Sequence, residues 1–268
     1  MRIEGAGRAL WAAAAPQALR ETERMAHKKI LVAGGCGGIG RALVAALVTQ
    51  GEEVAVFDLA RSLERHPVPA GVRALALDAA SETSVAEAFA ALGWPSLDGF
   101  VNLVGFTPPL QPIEPMALQT WNETVAGNLG AAFLLSRAAL PLLRASGAGA
   151  VVHVSSGLAL RAAAGYGPYA ACKAGIISLT KTLAVENAPT VRANAVAPAA
   201  VDTEFLTGGT GRDARENHMD FKAYVKMIPL GRIAGAADVV GPVLFLLGPG
   251  SGYMTGQVLY VNGGMITP

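Results

Sequence analysis

Tyr169-Ala170-Ala171-Cys172-Lys173 places a phenol and an ammonium four residues apart, where one turn of helix makes them neighbours on a single face. A phenol titrates near pH 10, too high for acid/base work at neutrality, but an adjacent fixed cation favours the phenolate and lowers that value toward the working range. The pair is a candidate proton-transfer device. Tyr166 offers a competing phenol, but the residue four positions on is Ala170, which supplies no cation. Ser155 and Ser156 follow a β-branched run. In a strand such neighbours point to opposite faces, so only one of the two hydroxyls can meet a substrate.

A second constellation lies near the start of the patterned region. Gly34-Gly35-Cys36-Gly37-Gly38-Ile39-Gly40 follows the first strand directly and opens the first helix. Missing side chains let the backbone turn tightly and let a pyrophosphate approach the helix N-terminus, whose amides and dipole favour anions. Asp58 ends the second strand about 20 residues on, where a carboxylate can accept from an adenosine ribose. It would repel a 2′-phosphate, and the loop carries no basic residue, so NAD is expected over NADP, with Arg61 counting the other way. Asp78, ending the third strand, is placed to meet the adenine amino group or, more plainly, to serve its own turn.

The elements that must position these groups alternate short β-branched runs with longer helical ones, the pattern of βαβ units and a parallel sheet. Seven strands are expected, at Ile30–Ala33, Glu53–Phe57, Val72–Leu77, Gly99–Val104, Ala150–Val154, Val191–Val196 and Gln257–Val261. Helices fit at Gly40–Gln50, Ser81–Leu92, Pro115–Arg144 with a bend near Gly127 or Gly130, Tyr169–Asn187 and Ala236–Leu247. The fold class expected is α/β, a doubly wound Rossmann arrangement with a seven-stranded parallel sheet. The least regular region is 199–228, long enough to suggest a substrate cover.

At 268 residues the chain suits one large α/β domain, taken as 25–268, preceded by an extension over 1–24. The extension's Ala-rich stretch faintly imitates a secretory signal, but Pro16 breaks it, Glu4 precedes it, and Met25 is an alternative start. A net charge of +1 without basic runs gives no footprint for nucleic acid or an anionic membrane. Uninterrupted apolar runs fall short of a bilayer span, so a soluble, cytoplasmic protein is expected. The two cysteines and four scattered histidines indicate neither disulfides nor a metal. Apolar residues at 52% against 15% charged suggest surface covered by subunit contacts.

From about Lys28 to the C-terminus the chain resembles the short-chain dehydrogenase/reductase family. That family's Thr-Gly-x-x-x-Gly-x-Gly loop is Ala33 to Gly40 here, with Ala33 in place of Thr. Its Asn-Asn-Ala-Gly segment is Asn102-Leu103-Val104-Gly105, keeping the first Asn and the Gly. Ser156 stands thirteen residues before Tyr169, the family's spacing, and Asn128 matches the helix Asn of its tetrad. Pro198, with Ala199 replacing Gly, and Val201 and Thr203 match the positions beside nicotinamide. Asn262 replaces a common Asp near the last strand.

The resemblance implies catalysis by Asn128, Ser156, Tyr169 and Lys173. It implies NAD binding by Gly34, Cys36, Gly37, Gly38, Ile39, Gly40, Asp58, Asp78, Asn102, Gly105, Pro198, Val201 and Thr203, together with Tyr169 and Lys173. The implied reaction interconverts a secondary alcohol and a ketone in a homotetramer. Tyr169 would move the hydroxyl proton, Lys173 would steady the phenolate and ribose, Ser156 would donate to the reacting oxygen, and Asn128 would hold a water. The residues between Ser156 and Tyr169, with Phe106, Pro108, Pro109, Phe205 and Leu206, suggest an apolar pocket with Arg161 as its one cation, hence a neutral small-molecule substrate. Other readings are a 3-oxoacyl thioester reductase, a cis-dihydrodiol dehydrogenase, and a non-catalytic dinucleotide-binding protein.

Overall fold

A computed structural model describes residues 27–217 and 219–267; the extension expected at 1–24 lies outside them. The strands are β1 (Lys29–Ala33), β2 (Glu53–Asp58), β3 (Arg73–Ala76), β4 (Gly99–Asn102), β5 (Gly149–Val154), β6 (Val191–Pro198) and β7 (Val258–Val261). They form one sheet in the order β3-β2-β1-β4-β5-β6-β7, every pairing parallel. The order reverses between β1 and β4, which opens a crevice at the carboxyl ends of the strands, where ligands settle in such sheets.

The helices are α1 (Gly38–Thr49), α2 (Ala60–Arg65), α3 (Glu82–Leu92), α4 (Leu118–Val125), α5 (Ala131–Ser146), α6 (Gly167–Asn187), α7 (Phe221–Val225) and α8 (Ala236–Leu247). They cover both faces, which is why the strands read as continuous apolar runs. On one face Leu31, Phe57, Phe100 and Val151 pack with Leu135, Leu143 and Leu183; on the other Ile30, Val32, Val56 and Val152 meet Leu43, Leu47, Val239 and Val243. Burying a side chain of this size contributes roughly 1.5–3 kcal/mol.

Local chemistry fixes the ends. The Ser81 hydroxyl accepts from the Ser84 amide at 3.2 Å and starts α3, and Gly93 with φ 61° stops it. Beyond α8, Arg192 donates to the Leu246 and Ser251 carbonyls, both at 3.1 Å, satisfying carbonyls that lack helical partners. The expected helix Pro115–Arg144 is α4 and α5 joined by a π-helical turn over Ala126–Gly130, so the bend expected at Gly127 or Gly130 is one wide turn. By length and composition Leu118–Ser146 could cross a membrane, but Ala131, Ala132, Leu135, Ala139 and Leu143 bury one side of it on the sheet. The six-residue α2 has no counterpart in the expected elements. Within 199–228, the least regular region, the described residues are helical only at the 3₁₀ turn Glu204–Thr207 and at Phe221–Val225.

Candidate active site

A cleft of about 890 Å³ runs along the carboxyl edge of the sheet. At one end the chain leaves β1 through Gly34, whose φ of +81° few residues but glycine adopt and whose amide donates to the Phe57 carbonyl at 2.7 Å. A Cβ on Gly40 would lie 2.3 Å from the Gly34 carbonyl oxygen, so the first turn of α1 closes on the loop only because that atom is missing. Asp58 braces the loop: its two carboxylate oxygens accept from the Cys36 amide at 2.9 Å and the Leu59 amide at 2.8 Å.

Gly34, Gly37, Gly38, Ile39, Gly40, Asp58 and Asp78 line this end of the cleft, and Gly105, Pro198, Val201 and Thr203 line its middle. Two expected binding residues stand behind the wall. Cys36 turns its thiol into the core beneath α1, where burial and the neighbouring Asp58 push it up to about 12, and its amide is occupied by Asp58. Asn102 is buried and accepts from the Val104 amide at 3.0 Å, which shapes the strand's exit despite the altered segment around it. Asp78 accepts from the Ala80 amide at 3.0 Å, serving its own turn while facing the cleft.

Ser156, Tyr169 and Lys173 meet at the other end. The α6 helix carries the last two on one face, and the Lys173 ammonium lies 5.4 Å from the centre of the Tyr169 ring while donating to the Val154 carbonyl at 2.9 Å. Both serines border the cleft, but Ser155 is buried and its hydroxyl donates to the Lys173 carbonyl at 2.8 Å, which leaves the Ser156 hydroxyl to meet a substrate. Tyr166 also faces the cleft, its ring centre 6.5 Å from that of Tyr169.

Asn128 sits in the π-helical turn, fully buried. Its amide nitrogen donates to the Phe106 carbonyl at 3.0 Å and the Thr124 carbonyl at 2.9 Å, and its oxygen accepts from the Phe106 amide at 3.3 Å. A Cβ on Gly105 would lie 2.6 Å from that oxygen and 3.2 Å from the Lys173 ammonium, so both groups crowd one bare backbone position.

The electrostatics differ from what four-residue spacing alone suggests. Burial pushes the Tyr169 phenol well above its usual value, with the neighbouring Ser156 hydroxyl opposing the rise, and burial pulls Lys173 down to about 8. Desolvation disfavours both charged forms and here outweighs their proximity. The resting tyrosine is therefore a phenol, ready to donate a proton.

The irregular region crosses the cleft. After the 3₁₀ turn Glu204–Thr207, Thr210 meets the Ser62 hydroxyl at 3.1 Å and Asp213 pairs with Arg61 at 2.7 Å, on the α2 side. On the opposite side the Arg212 guanidinium lies 3.6 Å from the Phe106 ring centre, and Arg215 donates to the Thr107 carbonyl at 2.6 Å and to the Thr107 hydroxyl. Arg212 and Arg215 thus join Arg161 on the cleft wall. The pocket with a single cation expected from sequence is corrected: those two guanidinium groups arrive on a loop without periodicity, and only its closing contacts place them.

The family model described as Enoyl-(Acyl carrier protein) reductase matches residues 34–266. The chain is 33% identical over 250 residues to the cis-4-hydroxycyclohexanecarboxylate dehydrogenase of Sinomonas cyclohexanicum, covering 90% of this chain and 98% of that protein. It is 33% identical to the 3-oxoacyl-[acyl-carrier-protein] reductase of Aquifex aeolicus, covering 90% and 98%. Among solved structures, the 3-ketoacyl-(acyl-carrier-protein) reductase of Brucella melitensis complexed with NADH superposes with a TM-score of 0.80 at 27% identity, covering 89% and 98%. The parallel order 3-2-1-4-5-6-7, the glycine turn into α1 and a match across nearly the whole described chain lead to one assignment: the protein is an NAD(P)-dependent oxidoreductase of the short-chain dehydrogenase/reductase family, acting on CH–OH groups.

Proposed function

We propose that the protein interconverts a secondary alcohol and its ketone with NAD in preference to NADP, using Tyr169 as acid and base. The observation that carries this reading is the meeting of Ser156, Tyr169 and Lys173 in the same cleft as the Gly34–Gly40 turn. The turn fits a dinucleotide at the N-terminus of α1, where Gly37 caps the helix and the place of its missing Cβ has only the Gly34 carbonyl oxygen nearby, at 3.5 Å, so a pyrophosphate can approach the backbone there. Gly34, Gly37, Gly38, Ile39 and Gly40 would hold that group, Asp58 and Asp78 the adenosine, and Gly105, Pro198, Val201 and Thr203 the nicotinamide end. Bound there, NAD supplies the acceptor for the carbinol hydride.

The protein's own part is proton control and orientation. In reduction, Tyr169 donates its phenolic proton to the ketone oxygen while Ser156 donates a hydrogen bond to the same atom, where charge develops. In oxidation, Tyr169 first gives up that proton to solvent, the Lys173 ammonium, charged below about pH 8, stabilises the resulting phenolate, and the phenolate then takes the proton of the carbinol hydroxyl. Asn128 keeps Gly105 and Phe106 in place beside Lys173.

The preference for NAD rests on the Asp58 carboxylate and on Arg61 being drawn to Asp213. A cyclic alcohol, as in the name of the Sinomonas relative, suits walls made by Tyr166, Phe205, Leu206 and Met219. A 3-oxoacyl thioester reductase is the second reading, favoured by the Aquifex relative. Exposed Leu118, Phe133 and Val185 on α4, α5 and α6 support a homotetramer, and two free cysteines suit the cytoplasm. The test is NADH or NADPH absorbance with a panel of cyclic, aliphatic and dihydrodiol alcohols and of 3-oxoacyl thioesters. Tyr169→Phe should lower turnover by about 10²–10⁴-fold with NAD affinity unchanged; near-normal turnover would reject Tyr169 as the acid/base.

A further inference from the structure

We infer that the substrate carries a carboxylate remote from its reacting carbon and that Arg215 receives it. The inference rests on the alcohol–ketone reading and adds the substrate's charge. Three guanidinium groups border the cleft, and their surroundings differ. Arg212 stacks on Phe106, and the charges of Asp78 and Glu123 act on it although burial outweighs them, so its guanidinium face is taken up by the ring and acids already act on its charge. Arg161 is exposed at the rim, where its guanidinium donates to the Met227 sulfur at 3.6 Å. Arg215 is half-buried, and among the described residues its guanidinium bonds only to the neutral oxygens of Thr107. Among the described residues no carboxylate lies within ion-pairing distance of it. Glu216 lines the same cleft but forms no ion pair with Arg215, and a half-buried cation that borders a cavity unpaired leaves room for a ligand's charge to answer it.

Its position ties it to the chemistry. The charge of Arg215 acts on the Tyr166 phenol, whose ring lies beside that of Tyr169, and Tyr224 borders the same group. A planar guanidinium with two phenols nearby suits one carboxylate, bound side by side through two N–H donors. Tyr169 and Ser156 would then hold the carbinol while Arg215 holds the acid, with Phe205, 6.1 Å from Tyr169 between ring centres, against the apolar part between them.

The test is calorimetric titration of the NAD-loaded protein with cyclohexanecarboxylate and, separately, with cyclohexanecarboxamide, neither of which carries a hydroxyl to oxidise. The acid should bind about tenfold or more tightly than the amide, as a charge-assisted pair implies. Arg215→Met should abolish that preference, and Arg215→Lys should keep part of it. Equal affinities in the native protein, or an unchanged preference in Arg215→Met, would overturn the inference. Because the readout is binding, it stands apart from the alcohol panel: turnover of neutral alcohols with no acid preference would defeat only the carboxylate claim, whereas an acid preference without turnover of any alcohol or ketone would leave Arg215 a carboxylate site and defeat the alcohol–ketone reading on which its link to a reacting carbon rests.

Discussion

The Ser155 hydroxyl donates to the carbonyl of Lys173 at 2.8 Å, and the Lys173 ammonium reaches back to the Val154 carbonyl at 2.9 Å. One residue of α6 is thereby laced to the end of β5 at both its backbone and its side-chain tip. Since Ser156 follows Ser155 directly, this lacing sets the register between the cleft hydroxyl and the Tyr169–Lys173 pair.

Ser155→Ala should therefore do more than soften the fold. Loss of one buried hydrogen bond costs about 1 kcal/mol, which lowers Tm by roughly 2–4 °C in a domain of this size. Turnover at saturating substrate should fall as well, because α6 can shift against β5, while NAD affinity changes little. Calorimetry and steady-state kinetics on the same preparation check both; a lowered Tm with native kcat would make the hydroxyl purely structural.

The glycine turn separates two kinds of requirement. A Cβ at Gly40 would meet backbone atoms of Gly34 and Gly35 at 2.3–2.7 Å, which cannot yield, whereas a Cβ at Gly37 meets only the Gly34 carbonyl oxygen, at 3.5 Å. Gly40→Ala should lower Tm and abolish dinucleotide binding together. Gly37→Ala should fold with native Tm but bind NAD more weakly, since its methyl would occupy the surface offered to the phosphates. Thermal melts and fluorescence titration with NADH distinguish the two; equal Tm values for the variants would contradict the packing argument.

Much of this arrangement was legible in the sequence, for physical reasons that also mark where legibility ended. Strands buried on both faces write themselves as apolar runs, so β1, β2 and β5 were found within a residue or so, and Ala236–Leu247 was found as it stands. The six residues of α2 carry too little periodicity to register. Four-residue spacing announced that Tyr169 and Lys173 are neighbours, but the direction of their shifts depends on desolvation by the whole cleft, a sum over residues far apart in the chain. Arg212 and Arg215 were passed over because their place depends on where a long loop lands, with Phe106 and Thr107 more than a hundred residues earlier.

Lys173 gives that desolvation a measurable sign. Its ammonium is held down at about 8 by burial, against about 10.4 in an unfolded chain. Between these values the unfolded chain binds more protons, so stability rises with pH across that window, and the cost of burying the charge is fully felt below pH 8. The wild type should gain on the order of 2–3 kcal/mol relative to Lys173→Met between pH 7.5 and 10. Denaturant unfolding of both proteins at several pH values checks this, and parallel stability curves would show that the lysine's charge is not desolvated.

His153 provides the complementary test on the acid side. Fully buried on β5, it meets the Ser136 hydroxyl on α5 through Nε2 and the Thr180 hydroxyl on α6 through Nδ1, each at 2.9 Å. Those hydroxyls also lie 2.6 Å and 2.7 Å from the carbonyls of Ala132 and Ile176. If both donate to their carbonyls, the ring must donate from both nitrogens and be charged. Burial holds His153 down at about 4, so at neutral pH the ring has one N–H and one hydroxyl turns its proton from helix to ring. Because the unfolded histidine titrates near 6.5, the unfolded chain binds the extra proton as pH falls from 6.5 toward 4, and stability is lost across that window. His153→Leu leaves both hydroxyls their carbonyl partners and should still fold. Measured as the wild-type minus variant difference, which cancels the carboxylates that titrate in the same range, the loss between pH 7 and 4.5 should be on the order of 2–3 kcal/mol; a difference that stays constant with pH would mean that the ring titrates alike folded and unfolded, and one that grows as pH falls would mean that it is already protonated at neutrality.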